Sequence, residues 1–174
     1  MFNNTVRFIL IAACLLIGIV NLLRNEFYFA ALFFITGALF AYGYFRYGSV
    51  WLAFQHLKNG EMVKAERLLD AIKNPQLLSG QQKAYYFFSK GLIEENRNNL
   101  DLAESCLKQA LSAGLRTTND TSLANLNLAD IYYRKGMLSE ARDRLKDASK
   151  LPHKQQVAEE IQKLKDALDA KGEA

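Results

Sequence analysis

The chain has 174 residues, 23% of them charged, and a formal net charge of +4. A charge so near balance, with no basic block, excludes a nucleic-acid surface built on phosphate contacts. Two cysteines, Cys14 and Cys106, exclude a disulfide framework and a thiolate zinc site.

The charges are unevenly placed. Residues 1–48 hold four charged side chains, Arg7, Arg24, Glu26 and Arg46, and residues 49–174 hold the other 36. Two uncharged runs fill the first part, Phe8–Leu23 and Phe27–Phe45, separated by Arg24, Asn25 and Glu26. A helix that spans a bilayer needs about 20 apolar residues. The second run has 19 and the first reaches 19 only by including Thr5, Val6 and Arg7, whose guanidinium can snorkel. The expectation is two transmembrane helices over residues 1–48, joined by a tight turn. Tyr28, Tyr42, Tyr44, Tyr47 and Trp51 stand near the ends of the second run, where aromatic rings favour the headgroup layer. Gly37 and Ala41 form a small-xxx-small pair that lets this helix approach the first, at Ala12, Ala13 and Gly18, or serves an external partner helix. A cleaved leader fits poorly, because only four apolar residues separate Arg7 from Ala12. The basic flanks predict both termini in the cytoplasm.

The next stretch, residues 49–152, repeats itself. The step from Ala65 to Ala103 equals the step from Ala103 to Ala141, which sets a 38-residue period. Leu69, Leu107 and Leu145 follow in the same phase, and so do Gly60, Asn98 and Gly136 before them. Another small residue, Ala53, Gly91 or Ala129, precedes each alanine at one fixed offset. Each unit reads as a helix, a turn at the glycine or asparagine, and a second helix. Those two residues enter the left-handed conformation most easily. The small residues mark where the paired helices cross. The segments NPQLLSGQQ and GLRTTNDTS, from Asn74 and Gly114, are expected to join one unit to the next.

Residues 153–174 carry Val157, Ile161, Leu164 and Leu168 at helical spacing among charges. This narrow stripe suits a polar helix that caps the open end of a repeat array.

The third unit, with Leu128, Ala129, Tyr132, Gly136, Ala141, Leu145, Ala148 and Pro152, resembles the tetratricopeptide repeat. The first and second units share fewer of its positions, and the usual period is 34. With the uncharged runs and the terminal stripe, the resemblance implies an all-α fold: two transmembrane helices followed by a tetratricopeptide-like α-solenoid with a C-terminal capping helix. Transmembrane pairs ahead of such repeats are similar to the architecture of bacterial inner-membrane proteins. The expected localisation is therefore an integral protein of the bacterial cytoplasmic membrane.

Little in the sequence suggests chemistry. His56 and His153 have no cysteine or carboxylate at ligand spacing, and no glycine-rich loop follows a strand. Asp101 and Glu104 read as a helix cap. Cys106 has no evident activating base. No catalytic residue, cofactor or metal is expected. The tetratricopeptide resemblance implies a groove along the first helices. Its positions are Val50, Phe54 and Leu57 in the first unit and Tyr85, Phe88 and Leu92 in the second. In the third they are Leu123, Leu126 and Asp130. The candidate protein-binding residues are Phe54, Leu57, Tyr85, Phe88, Leu92 and Leu126, facing an amphipathic helix or peptide. Equally, these side chains fill space between units. The expected function is a membrane-anchored adaptor that binds a partner protein. The alternative is a structural accessory subunit of a larger membrane protein complex, docked through its transmembrane hairpin. The expected partners are a protein and the lipid bilayer, with no nucleic acid.

Overall fold

The computed structural model describes residues 4–172, and the side chains of residues 9–39, 42 and 49–171. Among the described residues the regular structure is all helical: α1 (Asn4–Leu23), α2 (Phe27–Lys58), α3 (Met62–Asp70), a 3-10 turn (Pro75–Leu77), α4 (Gly80–Asn96), α5 (Leu100–Ala113), α6 (Thr118–Arg134), α7 (Leu138–Ser149) and α8 (Gln155–Gly172). The chain divides into two compact units, Met1–Ser49 and Val50–Ala174.

In the first unit α1 and α2 form a hairpin. Its turn leaves Asn25 at φ 59°, while the Glu26 amide donates to the Asn21 carbonyl at 2.9 Å. Small residues let the helices meet. A methyl group on Gly18 would lie 3.1 Å from the Phe34 ring, and one on Gly37 would lie 3.4 Å from Cys14 Cβ. Ala41, Tyr44 and Tyr47 lie outside the described side chains.

The membrane expectation is corrected here. Among the described residues no helix is long and apolar enough to cross a membrane. The uncharged run of α1, from Phe8 to Leu23, makes about 24 Å of helix against the ~30 Å of a hydrocarbon core. The second apolar run is not a helix of its own, because α2 continues unbroken to Lys58. The two transmembrane helices, the integral-membrane placement in a bacterial inner membrane and the cytoplasmic termini derived from it are therefore withdrawn.

In the second unit the repeat period becomes geometry. Gly60, Asn98 and Gly136 have φ of 76°, 64° and 78°. The residue after each donates its amide five residues back: Glu61 to His56 at 2.8 Å, Asn99 to Glu94 at 2.9 Å and Met137 to Tyr132 at 2.9 Å. This is one Schellman turn made three times. Behind each turn the small and leucine positions close the core. Ala53, Ala129, Ala65, Ala103, Ala141, Leu69 and Leu107 are all buried. Each buried leucine contributes about 1.5–3 kcal/mol. Gly91 marks a close crossing, because a Cβ there would lie 2.9 Å from Leu107 Cγ.

The hairpins pack in chain order, α3 on α4, α5 on α6 and α7 on α8, and α8 also meets α6. The stripe Val157, Ile161, Leu164 and Leu168 is buried in that contact. Part of what reads as linker is helical. The last residues of NPQLLSGQQ and GLRTTNDTS form the first turns of α4 and α6, and Thr117 Oγ1 caps α6 by accepting from the Asp120 amide at 3.0 Å.

Candidate functional site

The candidate groove residues lie on α2, α4 and α6, the first helices of the three hairpins. Phe54 of α2 packs against Tyr85 and Phe88 of α4, with ring centroids 4.9 and 5.8 Å apart. Trp51 meets Phe54 at 5.7 Å and Tyr85 at 5.8 Å. Phe54, Tyr85, Phe88 and Leu126 are buried, as is Val50, while Leu57, Leu92, Leu123 and Asp130 are half-buried. Phe54, Tyr85 and Phe88 thus fill the joint between α2 and α4, and Leu126 is buried as well. Tyr85 also ties α4 to α6 by donating its hydroxyl to Asp120 Oδ2 at 2.6 Å. Burial, and then this bond to a carboxylate, push the phenol above its ordinary range.

What stays accessible is the next row. Carrying Leu57 forward by the repeat period gives Glu95 and Tyr133, and all three are half-buried. The sequence reading missed Glu95 and Tyr133, although the period itself points to them. Burial raises the Glu95 carboxyl to about 7; the nearby Asp130 charge adds to the rise and Arg134 opposes it. Lys171 of α8 sits over the Tyr133 ring, 4.7 Å from its centre. The row Leu57, Leu92, Glu95, Asp130 and Tyr133 mixes apolar surface with carboxylates.

A second polar system runs between hairpins, and it too obeys the period. Arg97, just past the end of α4, donates to Glu66 of α3, and Lys135, one period later, pairs with Glu104 of α5 at 2.7 Å. Lys90 sits among Glu94 at 3.2 Å, Asp70 at 3.7 Å and Glu66 at 3.8 Å. Asn99 holds Glu94 across the turn by donating at 2.7 Å. Glu104 also accepts from Lys108 at 2.6 Å and from the Tyr132 hydroxyl at 3.1 Å. Burial works to raise its carboxyl, but the bonds from Lys108, Lys135 and Tyr132 outweigh it and hold it at about 2. Asp101 and Glu104 therefore serve the junction with Lys135, and the cap position Asn99 makes no side-chain capping bond. In the third hairpin the acidic position becomes Arg142, which donates to the Leu168 carbonyl of α8 at 3.0 Å.

The remaining reactive side chains are quiet. His56 is half-buried and pairs with Glu61 across the first turn, a carboxylate five residues on. Cys106 is buried, and burial raises its thiol to about 11, so thiolate is scarce at neutral pH. Among the described residues no group of three or more histidine, cysteine, aspartate or glutamate side chains is placed to hold a metal ion. In comparisons with known proteins, no family model, no curated protein and no solved structure matches this chain.

Proposed function

We propose that this chain is a tetratricopeptide-like adaptor or scaffold that binds another protein and carries no chemistry of its own. The observation that supports this reading most is the threefold recurrence of one hairpin, with the same left-handed turn and the same junction chemistry. Stacked copies place equivalent positions side by side, which gives an extended surface for a peptide or helix. The surface on offer is the half-buried row Leu57, Leu92, Glu95, Asp130 and Tyr133, rather than the aromatic floor. The test is copurification with the full chain and with a Leu57→Asp/Tyr133→Ala variant. Loss of a captured protein at an unchanged melting midpoint supports the row. Full retention sinks it.

A second reading has its own observation. The first unit exposes many large apolar side chains, including Tyr28 at 94% and Leu23 at 80%, with Leu16, Leu32, Ile35 and Leu39 also open. Such a surface marks an interaction site. On this reading the hairpin docks the chain into a larger assembly and the repeats brace it. Leu16→Ser/Leu32→Ser in the full chain should then release the partners that the row variant retains.

A further inference from the structure

Each junction between hairpins in the second unit is built alike. The first helix of the later hairpin turns one face toward the hairpin before it. Along one row, α4 carries Ser89 and Ile93 and is followed by Arg97, and α6 carries Asn127 and Ile131 and is followed by Lys135. Ser89, Ile93 and Ile131 are fully buried. Arg97 and Lys135 end on Glu66 and Glu104, the carboxylates of the preceding second helices.

Carried back by one period, this face is Trp51, Gln55 and Asn59 at the end of α2. Here it is open. Gln55 and Asn59 are exposed, and Trp51, Gln55, Lys58 and Asn59 line a cleft of about 390 Å³. Lys58 rests its ammonium 5.7 Å from the centre of the Phe54 ring and makes no ion pair with any described residue. An aromatic plate, two amides and a cation thus stand where two other junctions place a cation against a carboxylate.

We propose that this face of α2 docks a helix of a partner protein, one that resembles α5: amphipathic, with a carboxylate held by Lys58 and Asn59 as Lys135 holds Glu104. Both side chains can donate to that carboxylate, the ammonium through charge and the amide through its N–H groups. The inference rests on the protein-binding reading above, and it names a docking face and a partner class for it.

Trp51 is the chain's only tryptophan, so its emission reports on the cleft. The probe is a synthetic peptide of residues 98–114, titrated into the full chain. The expected result is a saturable blue shift, with binding about tenfold weaker for the Glu104→Lys peptide. Lys58→Glu in the chain should weaken the parent peptide and restore the Glu104→Lys peptide, as a charge swap requires. Lys58 is exposed, so its reversal costs only the contact with the Phe54 ring and the favourable charge at the end of α2, and should lower the melting midpoint only slightly. Unchanged emission at millimolar peptide, or equal binding of both peptides, overturns the proposal. So does self-association of the full chain that Lys58→Glu abolishes, because the occupant is then a second copy. Failure of the peptide while the row variant still loses its partner removes this face and leaves the protein-binding reading standing.

Discussion

A methyl group at position 91 has nowhere to go. Its nearest neighbours would be Leu107 Cγ at 2.9 Å and Cys106 Cβ at 3.4 Å, both on α5. Gly91→Ala should destabilise the chain by about 1–3 kcal/mol, the cost of overpacking, measured by chemical denaturation. Glu95 makes a prediction of the opposite sign. Its folded carboxyl titrates near 7, above the ordinary value of 4.5, so the unfolded chain ionises first. Stability therefore falls as pH rises between those values. Glu95→Gln should melt higher than the parent at pH 8, and the gap should close toward pH 5. A gap of the same size at both would show that burial of the charge is not its cause. Glu104 behaves in reverse: its contribution is present above the ordinary carboxylate range and is lost as pH falls toward 2. Single residues were legible from sequence where their size was the message, as at Ala53, Gly91 and Ala141. They were illegible where their role depends on a distant partner. Nothing local shows that Asp101 and Glu104 will answer to Lys135, a full hairpin away.

At the scale of the element, the turns were the most readable feature. A left-handed residue costs roughly 1–2 kcal/mol in any residue with a Cβ, which confines the position largely to glycine and asparagine. Gly60, Asn98 and Gly136 therefore announce themselves. Gly136→Val should destabilise the chain by about that amount, read as a lower denaturation midpoint, although no neighbour lies within 4 Å of the new Cβ. The helix lengths were less readable. Gly80 and Thr118 look like linker residues, yet α4 and α6 begin there while both stay exposed, and α6 is started locally by the Thr117 cap. The same holds for α2. Its sequence changes character midway, from uncharged to mixed, but a helical backbone does not record that change, and one helix crosses it.

For the molecule's second unit, the order of packing follows the order of the chain, and the last helix closes it. α8 lays its apolar stripe on α6 and α7 and leaves its charges outward. Ending the chain at Pro152 should lower the melting midpoint and raise the binding of a hydrophobic dye, because that contact is then uncovered. An unchanged midpoint would show that α8 contributes no stability. The cap was visible in sequence as a narrow stripe. The filled state of the candidate groove was not, because the same aromatic residues suit an open floor and a packed joint. Only the centroid distances among Phe54, Tyr85 and Phe88 separate the two.

The exchange of Glu66 and Glu104 for Arg142 sets a rule for how this chain could grow. An added copy of the second hairpin, inserted beside itself, would meet its neighbours as Glu104 against Arg97 and Glu104 against Lys135, opposite charges at each new seam. A duplicate of the third hairpin would set Arg142 against another Lys135, cation against cation. Lengthening by duplication is thus open in the interior and blocked at the end, unless Arg142 first reverts to an acid. A chain lengthened by the first route should melt at or above the parent, and one lengthened by the second should melt below it until Arg142→Glu is introduced.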